Sequence, residues 1–309
     1  MATDPGVEAL SRGQAFVDLS SWRKVAVRGG DAVAWLNDLV SADIGDLEPG
    51  RSRRSLLLSP TGGVRAEFTV AELSDETLLL QDPAQSRPID ALLAPYVLSA
   101  DVRLADRTSE LALLAFPGDP GDLGDAIPSG SVVTSPSCAV DGSGGVDVLA
   151  PSSERDAAVA GLSRDHALVD IAAFETWRIL AGIPRVAADG ADGDLPDELD
   201  LGGAVAEDKG CYLGQEAVAK ARNLGHPRRV LVRVAAKAPL GAGDEVRSGD
   251  AAVGTVTSVA SVEGRSVALA RVRWDAREAA LQTVSGVPLE VLDRPGGTAE
   301  GFTGFTSRP

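Results

Sequence analysis

Residues 209–216 read Lys-Gly-Cys-Tyr-Leu-Gly-Gln-Glu, KGCYLGQE. The chain has two cysteines, Cys138 and Cys211. Cys211 stands just ahead of Gly214 to Arg222, a run of good helix formers in which Glu216 and Lys220 hold the favourable i, i+4 order. A helix beginning near Leu213 places Cys211 at its N-terminal end, where free N–H groups and the positive end of the dipole stabilise a thiolate. Lys209, two residues back, adds its charge. Gly210 and Gly214 allow a tight turn and the close approach of a ligand. The same features also fit a small buried thiol in a turn, and spacing alone leaves both readings open.

Working outward, Lys209, Lys220, Arg222, Arg228, Arg229 and Arg233 form a basic segment in which Glu216 is the only acid. It is either a solvated face or a local site for an anionic ligand. Upstream, Asp189, Asp192, Asp194, Asp197, Glu198 and Asp200 form an acidic run. That run is no calcium loop: counted from Asp192, its sixth position is Asp197 where glycine is needed. After Pro227 the pattern alternates: Val230, Val232, Val234; then Val253, Thr255, Thr257, Val259; then Val267, Leu269, Arg271. Glycine-rich turns separate these stretches, which predicts a small C-terminal β-barrel.

The N-terminal half reads as mixed α and β. Asp31 to Val40 predicts a helix with Asp31 as its N-cap. Ser55 to Ser59, the turn Thr61–Gly62–Gly63 and the alternating Val64, Ala66, Phe68, Val70 predict a hairpin. Thr77 to Gln81 predicts a strand, Pro88 to Ser99 an amphipathic helix, and Glu110 to Phe116 a strand. Residues 117–130 are rich in Gly, Pro and Asp and read as a linker. Val146 to Leu149 predicts a strand, and Ser153 to Leu162 and Ile171 to Ala181 predict helices, the second stopped by Gly182. The last dozen residues read as a loose tail. This order predicts an α+β chain of three parts: 1–117, 118–226 and 227–309.

Composition excludes several classes. The 309 residues carry a formal charge of −16, so neither a nucleic-acid nor a membrane partner is expected. No apolar run is long enough to span a bilayer. The N-terminus carries no secretory pattern, and two distant cysteines make no disulfide framework, so a cytoplasmic location is expected. His166 and His226 make no HExxH zinc site, and no phosphate-cradling glycine loop occurs. Pairing Cys211 with His226 as a protease dyad lacks a third, orienting group. Cys138, in a Ser-Pro context, reads as a structural thiol.

KGCYLGQE resembles the K-G-C-Y-x-G-Q-E motif of the YgfZ-type folate-binding proteins, relatives of the glycine-cleavage T-protein. The likeness extends to Val27–Gly50, to Leu56–Val70, to Trp177–Pro184 and to Arg229–Trp274, with Val253–Gly254–Thr255–Val256–Thr257–Ser258. The resemblance implies ferredoxin-like α+β domains and a C-terminal β-barrel around a central channel, with tetrahydrofolate or a one-carbon derivative bound there. It implies iron–sulfur assembly or client proteins as partners, and Cys211 as the working thiol within the motif Lys209, Gly210, Tyr212, Gly214, Gln215 and Glu216. One cysteine cannot hold a cluster, so no resident metal is expected.

Folate contacts are assigned to Arg178, Glu198 and Trp177. Arg178 is alternatively a helix-face salt bridge, Glu198 a solvated acid and Trp177 a core residue. The chain departs from the transferases of the superfamily at three places. Ala66 and Glu67 stand at their Asp-Asp pair, Leu180 stands at their pterin-holding glutamate, and Cys211–Tyr212–Leu213–Gly214 stands at their Asp-Phe-Ile-Gly. Glu175 or Glu198 could supply the missing carboxylate. These departures argue against glycine-cleavage activity. An aminomethyltransferase-like one-carbon transferase and a non-catalytic folate-binding scaffold remain as alternatives.

Overall fold

A computed structural model describes residues 5–142, 144–223 and 225–293. The tail reading falls outside them. In chain order the chain forms α1 (Pro5–Ser11), β1 (Ala15–Asp18), β2 (Arg23–Arg28), α2 (Ala32–Asn37), β3 (Ser52–Leu58), β4 (Val64–Glu72), β5 (Thr77–Gln81), α3 (Ile89–Leu93), β6 (Arg103–Asp106) and β7 (Leu111–Phe116). It continues with β8 (Val132–Thr134), β9 (Val146–Pro151), α4 (Arg155–Leu162), β10 (Ala167–Val169), α5 (Ile171–Ala181), α6 (Val186–Asp189) and α7 (Gln215–Asn223). The last strands are β11 (Arg229–Ala236), β12 (Glu245–Ser248), β13 (Ala251–Val262), β14 (Arg265–Arg273), β15 (Leu281–Thr283) and β16 (Pro288–Asp293).

Two five-stranded sheets and a closed barrel organise these elements. One sheet runs β3-β4-β5-β2-β6, the other β10-β1-β7-β9-β8, and the barrel closes as β11-β14-β13-β12-β15-β16. The α+β fold with a terminal barrel therefore stands. Strand pairing crosses the division drawn at residue 117: β1 and β7 lie before it, yet both pair within the sheet that holds β8, β9 and β10. The first and second sheets also share a core.

Side-chain alternation builds that core. Val25, Val27 and Leu79 face α2 and α3, together with Leu36, Ile89 and Leu92. The intervening Ala26, Leu78 and Leu80 face the other way, toward Val17, Leu113 and Leu149 of the second sheet and toward Phe174 and Trp177 of α5. Phe16, Leu114, Phe116 and Val148 then cover α4 on the far face. In the barrel, Val230, Val232, Val234, Val246 and Val272 point inward. Leu231, Ala235 and Leu269 point outward onto Ile179 and Leu180 of α5. Both faces of the barrel wall are thus used, one for closure and one for docking. No helix among the described residues is long and apolar enough to cross a membrane.

Two helices are shorter than their patterns. α3 ends at Leu93 and tightens into a 3-10 turn through Tyr96, because Pro95 has no N–H to continue the ladder. α2 ends at Asn37, and Asp31 makes no side-chain cap. Its carboxylate instead accepts the Asp101 N–H at 2.8 Å. By contrast α5 has the predicted bounds, with Asp170 accepting the Ala173 N–H and Gly182 left-handed at its end.

Candidate functional site

The β3–β4 hairpin carries the site. Its turn is closed by Ser59, whose N–H reaches Gly63 O at 2.8 Å and whose hydroxyl accepts the Gly63 N–H at 3.0 Å. The 209–216 motif seats on this turn. Gly214 has φ +85, and a Cβ there would lie 2.5 Å from Ser59 O, so only glycine lets the two backbones approach. α7 follows, with Ala217 and Val218 against Gly62. Tyr212 is buried among Leu56, Leu58, Val64, Leu199, Leu201 and Val205. The Gln215 N–H donates to Tyr212 O at 3.3 Å, and Glu216 is exposed. Between the two anchors Lys209 and Tyr212, Cys211 is exposed and free. A side chain at Gly210 would meet nothing within 4 Å.

Two expectations about the thiol are corrected here. α7 begins at Gln215, so Cys211 lies four positions before its first residue and outside the turn where the dipole acts. The second concerns Lys209, which is turned to the oxygens at the end of α2. Its ammonium donates to Asn37 O (2.6 Å), Val40 O (2.7 Å) and Ala42 O (2.7 Å), all in and after the end of α2. Burial pushes the Lys209 pKa down to about 8, against the opposing pull of Asp43 and Asp38. The buried-thiol alternative for Cys211 is ruled out by its exposure.

Behind the hairpin, the two sheets and the barrel meet in a chain of arginines and carboxylates. Arg54 donates through Nε to Glu67 at 2.7 Å and through Nη2 to Pro184 O at 2.9 Å. The other Glu67 oxygen accepts the Val186 N–H at 3.0 Å. Arg185 pairs with Asp82 and Glu175. Burial works against its charge, but the two carboxylates hold its pKa above the ordinary value. Arg178 pairs with Glu175 (2.8 Å) and with Asp189 (3.0 Å), and reaches Ser258 Oγ on β13 (2.9 Å). Asp189 also accepts from Thr257 and Ser258, both at 2.6 Å. Nearer the hairpin turn, Arg271 of β14 pairs with Asp194, whose backbone O takes the Val64 N–H. Burial raises the Asp194 pKa. Arg271 Nε is buried with no partner among the described residues.

The residues assigned to folate contacts lie at this junction or beside it, and each is engaged. Arg178 is 2% exposed and has four of its donors' bonds in place. Glu198 is buried rather than solvated. One oxygen caps Leu195 N and the other accepts the Arg229 N–H, tying the acidic loop to the first barrel strand. Trp177 sits in the core, stacked on Phe174, with its N–H on Ser11 Oγ at 2.8 Å. Glu175 is bound by two arginines.

The basic segment divides. Lys209 faces carbonyls, Arg222 pairs with Asp197 and Glu207, and Lys220, Arg228 and Arg229 are exposed. Arg54 and Arg185 escaped sequence reasoning, which places Asp189 only in the acidic run and Arg271 only in a strand. A signal did exist for one of them: Arg54 shares its strand face with the buried Leu56 and Leu58.

Chemically, the junction is a set of compensated charges. Ala66 is wholly buried and Leu180 of α5 packs against the barrel wall, so neither place offers a carboxylate. General acid–base work needs a carboxyl with a free lone pair or proton near substrate. In the loop that leads to Gly214 on the hairpin turn, the Cys211 thiol is exposed.

Residues 3–120 match the model of the GCVT N-terminal domain. The chain is 27% identical over 304 residues to an aminomethyltransferase of Mycobacterium leprae (strain TN), covering 90% of this chain and 81% of that protein. It is 23% identical over 275 residues to a putative chloroplastic transferase of Arabidopsis thaliana, covering 82% and 64%. The fold matches the crystal structure of glycine cleavage system aminomethyltransferase T from Bartonella henselae with a TM-score of 0.77, at 20% identity over 95% of this chain and 90% of that one. The chain therefore has the aminomethyltransferase-type fold, with homologues of that superfamily at modest identity.

Proposed function

We propose that this protein is a folate-binding accessory factor of iron–sulfur cluster assembly or repair, with Cys211 as its working thiol. One observation carries the reading: the aminomethyltransferase-type fold presents an exposed cysteine in the loop that leads to Gly214 on the hairpin turn, while the carboxylates around the junction are bound to arginines or main chain. A thiol in that position suits attack on, or transient ligation of, a sulfur or iron carrier. The cluster is cargo.

Tetrahydrofolate fits the junction in its donor chemistry. Arg271 carries a buried, partnerless N–H beside Asp194, whose pKa burial raises, and a pterin ring asks for such a donor and carboxyl pair. Asp194 and Arg271 would hold it; Arg178, Glu198 and Trp177 would form the wall. When bound, the folate supplies a carrier for a one-carbon unit. The residues' own work is to orient that ligand and exclude water.

Calorimetric titration with tetrahydrofolate tests the ligand. Saturable binding near one site per chain is expected, and no binding at millimolar folate would remove it. Cys211→Ala tests the thiol: cluster-enzyme activity in cells should fall with folate binding intact. No fall favours a folate-binding scaffold. Turnover of an aminomethyl donor by the purified protein would instead favour a one-carbon transferase.

A further inference from the structure

We propose that a monovalent-cation socket lies at the end of α2, that the Lys209 ammonium is its tethered occupant, and that this occupancy positions the Cys211 loop. Four oxygens converge on Nζ: Asn37 O at 2.6 Å, Val40 O and Ala42 O at 2.7 Å, and Asn37 Oδ1 at 3.1 Å. An ammonium has three protons, so four acceptors exceed what hydrogen bonding alone would collect. None of the four is a carboxylate. A ring of neutral carbonyl dipoles replacing a hydration shell is how proteins hold potassium-sized ions. The end of a helix adds its own negative pole.

The socket is built without Lys209. Asn37 Oδ1 also accepts the Ile44 N–H at 2.9 Å, which fixes the amide with its oxygen turned inward. The chain between is held by Leu39 and Val40 N–H bonds to Leu36 O and by Ser41 N to Leu56 O. On the other side, Ser41 Oγ donates to Ala204 O at 2.6 Å and Ser41 O takes the Ala206 N–H at 2.9 Å. The segment leading to the motif is therefore pinned at 204–206, then at Lys209, then at the Tyr212 ring, which lies 5.4 Å from Nζ. Cys211 is the exposed residue between the last two pins. Lys209 is a positioning residue.

The functional weight of this inference rests on the reading of Cys211 as the working thiol. Its test reads ion binding and loop order, with no folate or cluster present, so the two can fail separately. In the full-length protein, K209A removes the tether and leaves room for a free ion. Hydrogen exchange of the 206–214 backbone is followed at about 0.2 M chloride salt, so that screening is matched. In choline or lithium chloride, exchange should quicken by about tenfold over the parent protein. Ammonium, ethylammonium or potassium chloride should restore most of that loss, while the parent shows no ion dependence.

Quickening that no cation reverses, or no quickening, would overturn the proposal. If K209A does not fold, K209M keeps the stem's packing. If neither folds, the refolding yield in potassium or ammonium against choline decides in the same way.

Discussion

Cys138 and Cys211 carry the same side chain in opposite settings. Cys138 is buried beside Val140 and Leu149, its N–H on Asp147 at 2.8 Å, and Ser137 donates to the other Asp147 oxygen at 2.6 Å. Burial pushes its thiol well above the ordinary range, and the neighbouring carboxylate pushes the same way. Cys211 stands in the open, on a loop whose neighbours on both sides are locked. The contrast teaches that a thiol becomes available when the residues around it supply the anchoring and it supplies none. Around Cys138 the cysteine is itself part of the packing.

The widest gap expected between the two is in labelling. Under native conditions a small alkylating reagent should modify Cys211 on the order of 10⁴ times faster than Cys138, which reacts only through opening of the core. Peptide mass spectrometry reads both sites at once, and comparable rates would erase the distinction.

The next test compares the locked junction with the open surface. Arg178→Ala strands buried Asp189 and should cost about 3–5 kcal/mol in denaturant unfolding. Arg228→Ala, on the exposed side of the basic segment, should stay within about 0.5 kcal/mol. A mild Arg178 variant would mean that the junction's charges are freer than their bonds imply.

Within the motif itself, Gly214→Ala places a Cβ against Ser59 O at φ +85 and should cost about 1–3 kcal/mol. Gly210→Ala meets open space and should be nearly neutral. Equal costs would show that the loop is not anchored where the contacts place it.

The smallest effect concerns the Cys138 side. Burial raises the Asp147 pKa to about 6, with the bonds from Ser137 and Cys138 opposing. The folded chain therefore binds this proton between about pH 4 and 6 while the unfolded chain has released it. The stabilisation is complete below the unfolded value and is lost as pH rises through 6. Relative to Asp147→Asn, the parent protein should lose stability across that window by at most about 1.4 kcal/mol per pH unit. A flat difference would place Asp147 in contact with solvent.

Much of the fold was legible, because strands with two different faces announce themselves. The hairpin at 52–72, the strand Thr77–Gln81 and α5 follow from alternation, from a turn at Gly62 and from caps at Asp170 and Gly182. What stayed hidden is pairing at a distance. Nothing near β1 says that its partners are β7 and β10, and nothing near Lys209 says that its acceptors are residues 37 to 42. The thiol was legible as a candidate from its neighbours. Its electrostatics were not, because the helix start moved by two residues and the lysine found oxygen elsewhere.

The placement of β1 has a consequence for how the chain is made. This strand leaves the ribosome about 150 residues ahead of its parallel partner β10. At cellular synthesis speeds β10 follows after roughly 8–30 s. Until then the sheet of β2 to β6 can form, while Ala15 to Asp18 wait with one side of their backbone unpaired. A chaperone that shields this strand during that interval would change the yield of native protein without touching any property of the finished fold.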